Sequence, residues 1–204
     1  ASGLKLLPES LQHGFLHRLD VPSSGLLFCG LSHKAFYELK LLLAVGRVGR
    51  EYLVLCHGLL APQRLEAAVH WKDAGGAPTR CGRGKPSLTR LREAAHGFLQ
   101  GEAVSLLLVA LGTGRRHQIR AHLAFAGRPV LGDGKYCAQE TYRRDGRWCT
   151  QNCLHRQRLR LPGLEATAPL PAEGCGFGRL LQALRAKDAA SAVLLRRVLA
   201  TGAA

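Results

Sequence analysis

The sequence predicts an α+β fold with a mixed or antiparallel sheet. Three observations carry that expectation. Strand-like apolar runs dominate the middle of the chain, helical periodicities interrupt them singly, and no regular strand–helix–strand alternation is present. With 204 residues, 47% of them hydrophobic, the chain can bury one full-sized core, and such apolar content argues against disorder.

Taken in order, Gly25–Gly30 reads as a short buried strand bounded by glycines. Ser32 is placed to cap a helix that carries Phe36, Leu39 and Leu43 on one face and stops near Gly46. Glu51–Leu60 is an apolar run suited to an interior strand, and Leu65–Trp71 is expected to pair with it across the Ala61–Arg64 turn. Gly75–Pro86 forms a loop rich in Gly, Pro and positive charge. Strand-like pieces follow at Leu88–Ala95 and Ala103–Leu111. Thr113 can cap a helix with Ile119, Leu123 and Ala126 on one face, ending at Gly127 before Pro129. Leu154–Leu161 reads as another strand, and Arg179–Ala200 as a final amphipathic helix bearing Leu180, Leu184, Leu194, Leu195 and Val198.

Charge speaks to partners rather than to fold. Lys and Arg number 29 against 14 Asp and Glu, a formal charge of +15. Nucleic acid, an anionic membrane face or an acidic protein would each answer it. The longest apolar stretches, such as Val104–Leu111, reach about half of the roughly 20 residues a membrane helix needs. Seven irregularly spaced Cys and no secretory apolar segment are expected of reduced thiols in an intracellular compartment. The absence of Met, even at position 1, reads as an excised domain or a fragment of something longer.

Some motifs fail on inspection. Gly25–Gly30 has phosphate-loop spacing, but Leu31 and Ser32 stand where Lys and Ser/Thr should follow. His117 and His122 are five apart, so a helix would not bring both to one metal. Cys137, Cys149, Cys153 and His155 could collect a zinc, but no Cys-x-x-Cys pair exists among them, and packed or surface thiols are the plainer reading.

Two motifs survive. If Thr113 caps its helix, Arg115, Arg116 and His117 occupy the first turn, where positive charge opposes the helix dipole by about 0.3–1 kcal/mol per charge. An anion docked there would reverse the sign; a solvated basic face is the alternative. In His17-Arg-Leu-Asp20, a carboxylate precedes a turn and an apolar segment. Asp20 is either a turn cap or ion-pair partner, or a nucleophile kept charged in a partly dry pocket.

These segments bear a family resemblance. His17-Arg-Leu-Asp20 with Ser23-Ser-Gly-Leu-Leu27 resembles the catalytic signature of the RluA-type RNA pseudouridine synthases. Arg50–Gly58 is similar to that family's second segment, Thr113–His122 continuing through Gly127–Tyr136 to its third, and Leu154-His155 with Leu159 to its closing motif. The resemblance implies a sheet core of the pseudouridine synthase type with flanking helices. It implies Asp20 as the catalytic carboxylate, Tyr52 stacking on a flipped base with a part in proton transfer, Arg120 pairing with Asp20, and Ile119 beside Tyr52. Arg18 fits the residue that fills the space left by the flipped nucleotide, and Arg115, Arg116 and His117 are expected to contact RNA. The Arg80–Lys85 loop is a further candidate contact.

Uridine and pseudouridine are isomers, so the implied reaction needs neither metal nor redox cofactor. Its partner would be structured, uridine-containing RNA, bound by a monomer away from membranes. The residues also admit a non-catalytic RNA-binding or RNA-chaperone module of the same fold, or a basic ribonucleoprotein component. Residues 1–170 are expected to form the catalytic domain and 171–204 a C-terminal helical extension. Only 16 residues precede His17 and none matches the family's usual upstream Lys-Pro-x-Gly stretch, so the domain is expected to be truncated at its N-terminus. Ser23 stands for the commoner Thr, and Cys137 stands where a Gly usually follows the Tyr.

Overall fold

The computed structural model describes residues 6–70, 80–170 and 176–201. After a 3₁₀ turn (Glu9–Gly14) come β1 (Ser24–Gly25), α1 (His33–Ala44), β2 (Gly49–His57), β3 (Gln63–Glu66), β4 (Val69–His70) and β5 (Arg80–Cys81). Next are β6 (Leu88–Leu99), β7 (Glu102–Leu111), α2 (Gln118–Phe125), α3 (Gln139–Asp145), β8 (Leu154–Leu161) and β9 (Leu164–Thr167). The described chain closes with α4 (Gly176–Ala183), β10 (Arg185–Ala186) and α5 (Ala189–Ala200). The main sheet has eight strands in the order β1-β8-β2-β7-β6-β10, with β3 paired to β6 and β9 to β8. Only β1–β8 is parallel among these pairs, so the sheet is mixed, as the sequence predicts.

Period-two alternation along β2 sorts its side chains onto two faces. Leu53 and Leu55 join Leu106, Phe177, Leu181, Leu195 and Val198 under α4 and α5. Tyr52, Val54 and Cys56 face the other way, with Leu107, Val109, Ile119 and Leu123 under α2. Each fully buried Leu contributes roughly 1.5–3 kcal/mol. The helices α4 and α5 close one face largely with such apolar contacts, while α5 also accepts from His96 N–H through Ser191 Oγ and pairs Arg197 with Glu93. On the other face, the short helix α2 leaves one end of the sheet open.

Where β2 meets β8, Glu51 pairs with Arg158 but Leu53 pairs with His155. The extra residue lies on β8, a bulge opposite Tyr52 that brings Arg156 beside it. Bulges of this kind re-aim side chains near functional sites.

Four expectations require correction. Within Gly25–Gly30 only Gly25 is in a strand, and Leu27 is exposed. Gly25 has φ +118°, and a Cβ there would lie 2.4 Å from the Arg156 carbonyl oxygen, so glycine admits the close approach of β8. Beyond it the chain leaves the sheet, and Gly30 N–H donates to Gly14 O instead. Leu65–Trp71 does not pair with β2, whose edges are taken by β7 and β8; β3 crosses to β6, and Trp71 lies outside the described residues. Gly75–Pro86 falls partly outside them as well; Arg80–Cys81 forms a ribbon with β4.

The third correction concerns Thr113, which caps nothing. Its hydroxyl accepts from Leu88 N–H and donates to Gln118 Oε1, and α2 begins only at Gln118. Fourth, Arg179–Ala200 is broken. Asp188 accepts from Ser191 N–H and starts α5 afresh. Before it, Arg185–Ala186 pairs with β6 at Phe98 and Gly97, where a Cβ on Gly97 would lie 2.5 Å from the Arg185 carbonyl oxygen. Ser32 does cap α1, accepting from Ala35 N–H.

Candidate active site

At the open end of the sheet lies a cavity of about 580 Å³, within the roughly 300–1,000 Å³ range of small-molecule sites. It brings together every residue the sequence singled out for catalysis or RNA contact there: Asp20, Tyr52, Arg120, Arg18, Arg115, Arg116, His117 and Ile119. Of the Arg80–Lys85 loop, the described side chains of Cys81–Lys85 are not part of its lining.

Asp20 opens the turn that ends at Ser23, whose N–H donates to its carbonyl. Its carboxylate is about one-fifth exposed and accepts from Arg120 Nη1 at 3.1 Å. Arg120, near the start of α2, is buried, and its Nε and Nη2 donate to the two oxygens of Asp133 at 2.6 and 2.7 Å. That fork leaves Nη1 to orient Asp20. The guanidinium also lies 5.0 Å from the Tyr136 ring centroid. Burial opposes its charge, but the hydrogen bonds and charge of Asp133, aided by Asp20, raise its pKa still further above the ordinary range.

His117 lies in the loop before α2, not in the first helical turn, with φ +53°. Its Nε2 is 3.6 Å from Asp20 Oδ1, and its Nδ1 is 3.0 Å from the Tyr136 hydroxyl. Burial holds its pKa below the ordinary imidazole value despite Asp20, and Arg120, Arg116 and Lys135 add to the lowering. Arg115 and Arg116 belong to the same loop, which Gln118 fastens to β6. Gln118 Oε1 accepts from Arg115 N–H, and Nε2 donates to Leu88 O and Thr89 Oγ1.

Tyr52, also in the lining, is buried in one cluster with Ile119. Its hydroxyl accepts from Arg156 Nε at 2.8 Å, and the Arg156 guanidinium lies 5.2 Å from its ring centroid. Arg156 Nη1 donates to His17 Nδ1 and to Leu26 O. Burial, then the charges of Arg156 and Arg50, push the His17 pKa down to about 4, leaving a neutral ring able to accept. One buried arginine thus ties the His17 segment, Tyr52 and β8 together.

Sequence reasoning passed over Asp133, Arg156 and Gln118 as site residues. Each stands inside a segment that carried the resemblance, yet each acts through a partner distant in sequence. Of the four residues weighed for a zinc, His155 is already engaged at both nitrogens, by Ser24 Oγ and Ala168 O.

The family model of RNA pseudouridylate synthase matches residues 4–125. The chain belongs to the RNA pseudouridylate synthase family. Among curated relatives in this family, human RNA pseudouridylate synthase domain-containing protein 1 is 34% identical over 158 residues, covering 72% of this chain and 50% of the relative. Ribosomal large subunit pseudouridine synthase D of Haemophilus ducreyi is 29% identical over 208 residues, covering 88% and 58%. The solved structure of human RNA Pseudouridylate Synthase Domain Containing 1 superposes with a TM-score of 0.73 at 28% identity, covering 89% of this chain and 79% of that one. The chain spans about half the length of the curated relatives it matches.

Among the described residues, Asp20 is the only carboxylate in the cavity lining, beside Arg18, Arg50, Arg115, Arg116, Arg120, Lys135 and Arg156. No helix among them is long and apolar enough to cross a membrane.

Proposed function

We propose that this chain is an RNA pseudouridine synthase that turns a uridine out of structured RNA into the cavity and isomerises it. The observation that carries the reading is the Asp20–Arg120–Asp133 chain sharing one cationic cavity lining with Tyr52. A base modified at its glycosidic bond cannot be reached within a duplex and must be flipped. Stacking against Tyr52 would return about 1–3 kcal/mol of the unstacking cost. Arg18, Arg115 and Arg116 take the phosphates, where counterion release supplies most of the affinity.

In the reaction the bond between uracil N1 and ribose C1′ breaks, the uracil rotates, and a bond forms from C5 to C1′. The C5 proton leaves and N1 gains one, so atoms balance without a cofactor. Asp20 serves either by attacking C1′ or by promoting elimination to a glycal. Arg120 orients its carboxylate in both routes. Tyr52, anchored by Arg156, presents an aromatic surface to the base.

Asp20→Ala tests this reading. Pseudouridine formation, read by chemical labelling and primer extension, should fall on the order of 10⁴-fold or more, while most RNA affinity stays. Equal product from both proteins would sink the catalytic reading. RNA binding without product from either would favour a non-catalytic module.

A further inference from the structure

Outside the lining of that cavity a second group of chemistry-bearing side chains meets. His57 at the end of β2, Cys137 after the Asp133–Tyr136 turn, and Asp145 at the end of α3 each offer one ligand atom, all within 4.8 Å of one another. Asp145 is fully buried. Its Oδ2 lies 2.9 Å from His57 Nε2 and accepts from Gly132 N–H at 2.9 Å, while its Oδ1 has no hydrogen-bond partner among the described residues. A buried carboxylate oxygen without a donor is costly and demands an explanation. The Cys137 thiol makes one hydrogen bond, to Val130 O at 3.3 Å.

We propose that His57, Cys137 and Asp145 form a structural site for one divalent cation of the zinc type. Imidazole nitrogen, thiolate and carboxylate are the donors such an ion takes, and three protein ligands leave a fourth position for the second Asp145 oxygen or a water. Tetrahedral coordination would place the donor atoms about 3.3–3.6 Å apart, so each pair need shift by no more than about 1–1.5 Å. One thiolate and one carboxylate neutralise the dication, which suits a largely buried place. Binding sends the Cys137 proton to solvent, and His57 coordinates through Nε2 with a proton kept on Nδ1. His57 and Cys137 are not fully buried, which gives the ion a way in.

The cation takes no part in the isomerisation. Cys137 N–H donates to the Asp133 carbonyl, and Gly132 N–H is held by Asp145. The ion would therefore fasten β2 and α3 to the turn whose Asp133 clamps Arg120.

Titrating Co²⁺ into the metal-free full chain tests the site independently of any activity. The expected result is tetrahedral ligand-field absorption with a thiolate-to-cobalt charge-transfer band, saturating at one ion per chain and bleached by Zn²⁺. Zn²⁺ should raise Tm and release protons on binding. In Cys137→Ser and in His57→Gln the affinity should fall by more than about 100-fold, whereas Cys149→Ser should keep the band. No charge-transfer band in the unaltered chain would overturn the proposal. So would a band that persists in Cys137→Ser or disappears in Cys149→Ser.

Discussion

Two buried arginines flank the cavity, and they are held in opposite ways. Arg120 sits between two carboxylates, with Asp133 taking its fork and Asp20 its remaining nitrogen. Among the described residues Arg156 has no carboxylate hydrogen-bond partner; its partners are a phenol, a neutral imidazole and a carbonyl. The first arrangement uses cationic charge internally, to fix where a carboxylate points. The second leaves charge facing the cavity, where an anion can use it.

This contrast can be broken from either side. Arg120→Met should cost the most stability, about 3–5 kcal/mol, because it leaves Asp133 buried and unpaired. Adding Asp133→Leu removes the stranded charge and should restore most of that loss in urea unfolding. Pseudouridine formation should stay lost in the double variant, since Asp20 no longer has its orienting partner. If the second substitution restored no stability, the clamp would not be the reason Asp133 is buried.

Arg156→Met should cost less, about 1–3 kcal/mol, because only neutral hydrogen-bond partners are left behind. Its mark should instead appear in RNA binding. Affinity should fall, and the slope of log K against log salt should shrink by about one phosphate contact. Equal stability losses from the two arginines would erase the distinction.

The smallest effect concerns pH. His17 has a folded pKa of about 4 against an ordinary 6.5. Below pH 6.5 the unfolded chain binds a proton that the folded chain refuses. Stability is therefore fully present above pH 6.5 and declines as pH falls towards 4. His17→Gln should flatten part of that decline in urea unfolding across the range. His117, His122 and His155, all lowered chiefly by burial, retain the remainder.

Much of this molecule was legible in its residues. Periodicity gave the α+β class and the central strands, and segments in a familiar order brought Asp20, Tyr52 and Arg120 to one cavity. What stayed hidden were choices made between distant groups. A hydroxyl at Thr113 can cap a helix, but nothing local says that Leu88 N–H and Gln118 will claim it first. Arg156 reads as one basic residue among many until a bulge on β8 sets it against Tyr52. Asp133 carries no local sign of being a clamp, because its partner is set by packing. The break before α5 is readable, since Asp188 is a good cap and no leucine falls between Leu184 and Leu194.

The central claim is that Asp20 drives uridine isomerisation, and release of the C5 hydrogen reports it directly. RNA from cells lacking this gene, labelled with tritium at uridine C5, would be incubated with the chain and with Asp20→Asn. The account predicts tritium released to water by the unaltered chain and none above background by Asp20→Asn, with both proteins folded and binding RNA. Equal release from the two, or none from the unaltered chain while it binds that RNA, would contradict it.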